Sequence, residues 1–206
     1  MHEKTVTRTH VGAFISWSAR ALLCILGWRV VAESPPVKKS VIIAAPHTSA
    51  WDFFYGLLGA LAMRVPLCFL IKDTVFRWPL NLLLYRLGGI PVNRRERKGA
   101  VDQIAGALRR HDRLYVMITP SGTRKRVRYW KTGFYWIAHR AGVPVWLTYI
   151  DYRNRVMCGG PFLYPTGDIH ADFERIRAFY EPVFGPMPSC RPAPREYEET
   201  RERMAS

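Results

Sequence analysis

The sequence predicts an α/β fold, a single domain with a largely parallel central sheet flanked by helices, and three observations carry that prediction. Short, continuously apolar runs rich in β-branched residues are the mark of strands buried on both faces. They alternate with segments whose apolar residues recur every three to four positions, as along one helix face, and a strand–helix–strand order gives parallel pairing. The third observation is length: 206 residues suffice for one substantial domain and are too few for two ordinary ones.

The first helix falls within residues 11–32, "VGAFISWSARALLCILGWRVVA". The run is long enough to span a bilayer, but Arg20 and Arg29 interrupt it, and an arginine near mid-membrane costs about 2.5 to 3.5 kcal/mol. Val11, Phe14, Ile15, Ser18, Leu22, Ile25 and Leu26 share one helical face, which predicts an amphipathic helix lying in the membrane interface with its arginines snorkelling. A helix that merely caps the soluble core is the alternative. "SPP" at 34–36 ends the helix, because proline lacks the N–H and restricts its predecessor. Three parts follow: a membrane-contact helical segment over 1–36, the α/β domain over 37–184, and a proline-rich, charged tail over 185–206.

Within the domain, "SVIIAA" (40–45) reads as a buried strand and "FFYGLLGALAM" (53–63) as the helix after it. "PLCFLIK" (66–72) is the next strand, and a leucine-rich helix is expected over roughly 74–87, kinked at Pro79. "GGIPVN" supplies a short extended segment, and Val101, Ile104, Ala105 and Leu108 mark the buried face of the helix that follows. "LYVMIT" (114–119) is a strand, "WKTGFYWIAHRAG" contains a helix ended by Gly142, and "VPVWLTYIDY" (143–152) is another strand. The aromatics of that helix suit either a lipid groove or simple core packing. One further strand or hairpin lies within 154–167, and the last helix opens with Asp168 as its N-cap.

Composition narrows the classes of partner. A net charge of +15 attracts polyanions, whether nucleic acid, anionic lipid headgroups or phosphorylated substrates. The basic residues are spread along the chain, with one dense cluster, "RKRVR" at 124–128, which favours a local anion site. No helix-turn-helix, zinc-finger or RNA-recognition signature is present, so nucleic acid is not expected as a partner. Cys24, Cys68, Cys158 and Cys190 lack the spacing of a zinc site or a disulfide framework, and a reduced compartment is expected. A secretory signal is not expected either.

Two strand ends carry the chemistry, where ligands gather in open α/β sheets. In "APHTSAWDFF" (45–54), His47 and Asp52 stand five residues apart; on one continuous helix they would point about 140° apart. To meet, His47 must stand on the loop and Asp52 in the first helical turn. A histidine held at Nδ1 by a carboxylate presents Nε2 as a general base toward a substrate hydroxyl. The alternative is that the two only cap the helix, with Thr48 and Ser49 as rival caps. In "ITPSGTRKR" (118–126), Gly122 permits a tight turn whose N–H groups, with the Thr123 hydroxyl and the Arg124 guanidinium, can hold a phosphate. Ser121 lacks the first glycine of a nucleophile elbow. "GGIPVNRRER" lacks the dinucleotide-binding spacing, although Arg94 and Arg95 can face the same anion.

Together these stretches resemble the glycerolipid acyltransferases of the lysophosphatidic acid acyltransferase type. "HTSAWD" resembles that family's H-x4-D block, "GGIPVNR" its second block, "TPSGTR" its third, usually P-E-G-T-R, and "GVPVW" its fourth, in the family order over about residues 40–150. The resemblance implies acyl transfer from coenzyme A or acyl carrier protein to a hydroxyl of a (lyso)glycerophospholipid-like acceptor. It makes His47 the base and Asp52 its orienting partner. It gives Arg94, Ser121, Gly122, Thr123, Arg124 and Pro144 to substrate binding, and requires no metal or prosthetic group. It also implies an anchored protein on the cytoplasmic face of the membrane, peripheral or monotopic, with anionic lipid, lysolipid and acyl thioester as partners. Ser121 stands where the family usually has glutamate, which opens the way to a different hydroxylated lipid as acceptor. A basic membrane-surface protein without turnover is the non-enzyme reading of the same charge.

Overall fold

The computed structural model describes residues 11–31, 35–47, 49–86, 89–92, 97–125 and 127–190. Seven strands form one sheet in the order β1 (Arg29–Val31), β8 (Val156–Leu163), β7 (Val145–Asp151), β2 (Lys39–Ala44), β5 (Leu114–Ile118), β3 (Leu67–Lys72), β4 (Gly89–Val92). The five strands from β7 to β4 are parallel, as expected. The sheet is nevertheless mixed. β8 returns antiparallel to β7 in a hairpin, and β1 pairs parallel to β8. The hairpin forms because Asp151 staples its turn, accepting from the backbone N–H groups of Arg153 (2.9 Å) and Asn154 (3.2 Å). That leaves no room for a crossover helix.

The alternation along β2 divides the core. Val41 and Ile43 face a cluster built with α4 (Arg97–Arg110), α5 (Gly133–Ala141) and α6 (Ile169–Phe184). The predicted face of α4 is there, with Ile104, Ala105 and Leu108 buried. Phe134, Tyr135 and Ile137 of α5 are buried in the same cluster, so these aromatics of the "WKTGFYWIAHRAG" segment pack the core. Gly142 ends α5 in the left-handed conformation (φ 66°), and Asp168 caps α6 through His170 N and Ala171 N, both as the sequence indicates. Ile42 faces the opposite layer, formed by α2 (Trp51–Ala62), and α1 (Ala13–Ile25) lies on α2.

Four expectations are corrected here. The first helix stops at Ile25, well before "SPP", because Gly27 turns with φ 74° and residues 29–31 then join the sheet. Arg20 does not snorkel: its Nε donates to the Ala62 carbonyl at 3.0 Å, where Ser16 Oγ also donates at 2.9 Å, satisfying an orphan carbonyl at the end of α2. The expected 74–87 helix is divided into a 3-10 turn, Asp73–Val75, and α3 (Leu80–Arg86). Pro79 precedes α3 instead of kinking it, since a missing N–H is tolerated only at a helix start. Beyond α6 the chain does not simply leave as a tail, for Ser189–Cys190 (β9) pairs with Tyr129–Trp130 (β6). Residues 1–10 and 191–206 of the two terminal parts lie outside the described residues.

The two faces of α1 differ in size of side chain. Ser16, Ala19 and Leu23 are turned onto α2, whereas most of the apolar stripe read from the sequence is turned outward: Ile25 is 82% and Phe14 78% exposed. Small side chains let two helices approach closely, so the bulky ones go to the other side. Among the described residues no helix is long and apolar enough to cross a membrane.

Candidate active site

Because β2, β3, β5 and β7 are parallel, their carboxyl ends share one edge of the sheet. His47 follows β2 on a loop, and Asp52 is in the first turn of α2, which is the arrangement that lets them meet. His47 Nδ1 lies 2.7 Å from Asp52 Oδ2, with the two side chains 22% and 9% exposed. Nδ1 is therefore committed to the carboxylate, and Nε2 is the nitrogen left to face a substrate.

The same carboxylate also caps the helix. Asp52 Oδ2 accepts the Ser49 backbone N–H at 3.1 Å, while Ser49 Oγ accepts the Trp51 N–H at 3.1 Å, a reciprocal exchange like a capping box. The helix-capping contact and the His47 contact thus share one carboxylate oxygen. Thr48, the rival cap, lies outside the described residues. Asp52 Oδ1 accepts a hydrogen bond from the Tyr152 hydroxyl at 2.6 Å. Burial and the Asp52 bond together push the Tyr152 hydroxyl well above the usual tyrosine range, so it remains a donor. Tyr152 was absent from the sequence-based site, yet a signal existed: it ends the strand 143–152, the position that singled out His47 and Gly122.

The second strand-end loop follows β5. Gly122 N–H donates to Thr119 O at 3.0 Å and adopts φ 62°, a left-handed turn that suits glycine. Ser121 Oγ donates to Thr123 O at 2.7 Å, and Thr123 Oγ1 accepts the Lys125 N–H at 3.3 Å. Gly122, Thr123, Arg124 and Lys125 are all exposed. The loop closes on Lys131, whose N–H donates to Pro120 O at 3.0 Å. A Cβ on Gly122 would stand 2.6 Å from Lys131 Nζ. The sequence reading missed this lysine, although it sits at the far end of the same strand-to-helix connection.

One predicted residue is not brought to this edge. Pro144 precedes β7 and is buried at the opposite end of the sheet, where its carbonyl accepts the Val41 N–H at 3.0 Å. Its role is to join β7 to β2, and substrate contact is corrected to sheet registry. Arg94 and Arg95 lie outside the described residues. β4, which precedes them, is three strands from β2, roughly 14 Å at the usual strand spacing.

A small apolar cleft, part of it open to solvent, lies between α2 and the sheet. Gly56 and Gly59 of α2, Met117, Trp146 and Met157 are among its walls. A Cβ on Gly59 would come within 2.8 Å of Met157 Sδ, so glycine there lets the helix lie close to the sheet while the cleft stays open one turn away, at Gly56.

The family model described as Acyltransferase matches residues 28–150. Among solved structures, the 1-acyl-sn-glycerophosphate (LPA) acyltransferase PlsC of Thermotoga maritima is similar over 91% of this chain and 78% of that one, with a TM-score of 0.56 and 19% identity. At that identity the likeness is one of fold. No curated protein matches the chain.

Proposed function

The chain belongs to the Acyltransferase family, and on that premise we propose that it moves a fatty acyl group from a thioester of coenzyme A or acyl carrier protein to a hydroxyl of a (lyso)glycerophospholipid-like acceptor. The observation that carries the reading is the 2.7 Å contact between His47 Nδ1 and Asp52, with the histidine on a loop at the carboxyl edge. His47 Nε2 takes the acceptor's proton as its oxygen attacks the thioester carbonyl. The tetrahedral oxyanion collapses, the C–S bond breaks, and the imidazolium returns the proton to the leaving thiolate. A thioester is already activated, so no nucleophilic side chain, metal or prosthetic group is needed in this scheme.

Two further features support the assignment of parts. The apolar cleft beginning one turn beyond Asp52 suits an acyl chain. The Gly122 loop with Lys131 suits an acceptor phosphate or another anionic group, Arg124 adding a bidentate donor. Ser121, whose hydroxyl is spent on its own loop at 2.7 Å, offers no carboxylate there. That favours recognition of the acceptor by cations and backbone, and keeps a different hydroxylated lipid as a second acceptor.

The proposed setting is the cytoplasmic face of a membrane, with the outward face of α1 against lipid. Phe14 and Ile25 on that face, and Trp51 and Trp78 (82% exposed) at the carboxyl edge, support it, as does the charge of +15 toward anionic headgroups. Ile25→Ser leaves the buried face of α1 intact and is expected to weaken binding to anionic vesicles about tenfold, on the scale of burying one large apolar side chain; unchanged cosedimentation would overturn the docking.

The function is tested by thiol release from palmitoyl-CoA with a panel of lysolipids. His47→Ala is expected to abolish acceptor-dependent release, and activity equal to wild type would refute the mechanism. Release of free fatty acid without an acceptor would mark a hydrolase. Vesicle binding with no turnover on any thioester would mark a binding protein.

A further inference from the structure

We propose that Tyr152 is a positioning residue that fixes the plane of the Asp52 carboxylate and so holds His47 in its working orientation. The proposal rests on the acyl-transfer reading of the same pair. Tyr152 lies two residues beyond the stretch that the family model matches. It is brought in by the hairpin that makes this sheet mixed.

A carboxylate rotates readily about its last torsion, which is broad and nearly two-fold. Held only by His47, Asp52 could exchange its two oxygens and let the imidazole swing. Each oxygen here has its own anchor: Oδ2 takes His47 and the Ser49 N–H, and Oδ1 takes the Tyr152 hydroxyl at 2.6 Å, within the short range of charge-assisted O–H···O⁻ bonds. The plane is then fixed from both sides. A buried carboxylate also needs its charge satisfied, and Tyr152 does this without adding a charge of its own.

The tyrosine is itself held from two directions. The Trp28 ring meets it edge-on at 5.4 Å and the Tyr55 ring at 5.9 Å, and Trp28 lies on Tyr55 at 4.3 Å. Trp28 is buried after α1, and Tyr55 is one turn beyond Asp52 on α2. Its backbone enters the turn stapled by Asp151. Three elements that the fold brings together therefore aim one hydroxyl at Asp52. Besides Asp52, Ser49 and Tyr55 bear on that hydroxyl electrostatically.

Tyr152→Phe keeps the ring contacts and removes only the O–H, which separates positioning from packing. The expected result is a kcat about ten- to hundredfold lower, the range for a hydrogen bond to a charged group, with both KM values within about twofold. The His47 Nδ1–H proton resonance, followed by NMR, is expected to move further downfield, because the full carboxylate charge then falls on that hydrogen bond. Wild-type kcat together with an unmoved resonance would overturn the proposal. If Tyr152→Phe does not fold, 3-fluorotyrosine at position 152 preserves the ring and strengthens the donor, so the resonance should move upfield; no movement would equally overturn it. The spectrum needs no turnover. Should His47→Ala acylate as well as wild type, the base role of His47 fails while the His47 signal still decides the role of Tyr152.

Discussion

The two strand-end loops at the carboxyl edge are built on opposite plans. After β2, His47, Ser49, Asp52 and Tyr152 satisfy one another through three contacts between 2.6 and 3.1 Å, around a carboxylate that is buried. After β5, the Gly122 loop satisfies its own backbone and leaves Thr123, Arg124 and Lys125 exposed. A group that must abstract a proton needs its orientation fixed before substrate arrives. A cradle for a lipid headgroup needs open donors and pays little for their exposure. The first loop should therefore govern kcat and the second KM, and substitutions in each can break or sharpen that division.

The largest effect is expected at the closed loop. His47→Ala should lower kcat by about 10² to 10⁴, the usual contribution of a positioned base, with little change in the KM of either substrate. Steady-state thiol release decides this, and a KM effect with kcat preserved would reverse the division. At the open loop, Lys131→Met should raise the KM for an anionic acceptor about two- to fivefold and leave kcat within twofold, the loss of one exposed ion pair. Gly122→Ala should do the same by a different route. Its left-handed φ costs an alanine about 1 kcal/mol, and the added Cβ displaces Lys131 Nζ from 2.6 Å. That is about 2 to 4 °C in Tm for a chain of this size. If either change lowers kcat as far as His47→Ala does, the loops are not separable.

A smaller effect is expected in the cleft between them. A Cβ on Gly56 would rest 3.7 Å from Met117 Cε, in ordinary contact. Gly56→Ala should thus raise stability by up to about 1 kcal/mol through helix propensity. It should also shift preference several-fold toward shorter acyl thioesters, because the methyl occupies the cleft. Comparing kcat/KM for C8 and C16 donors checks this, and unchanged chain preference would remove the cleft from the acyl path.

Much of this arrangement was legible in the sequence, and the omissions share a cause. Strand and helix periodicity located the core, Gly142 and Asp168 marked helix ends correctly, and the five-residue spacing of His47 and Asp52 stated the geometry that the fold meets. Tyr152, Lys131 and the burial of Pro144 were not legible, because each depends on which strand end lies beside which, and sheet order is nonlocal. The apolar stripe of α1, read from the sequence as a membrane-facing side, is turned outward; the Ser16, Ala19 and Leu23 face was not legible, because only the partner helix decides which small residues it covers. The hairpin at β7–β8 was open because a turn stapled by Asp151 and a crossover begin alike.

That hairpin offers the most delicate test. Asp151 accepts two backbone N–H groups and Asn154 Nδ2 at 2.7 Å, and the Asn154 bond foremost pulls its carboxyl below the usual aspartate range. A pKa depressed in the folded state contributes stability that is present above the unfolded value, about 3.9, and is lost as pH falls through the folded one. Asp151→Asn should accordingly lower Tm at pH 7 by a few degrees at most, since the group is partly solvated and its interactions are screened. The difference from wild type should shrink as pH falls below about 3.8. Because Tyr152 is the next residue, the variant should also lose a few-fold in kcat while both KM values hold. A Tm gap that is flat with pH would mean that the charge of Asp151 does not staple the turn, and Tyr152 would then be held by its ring contacts and its bond to Asp52.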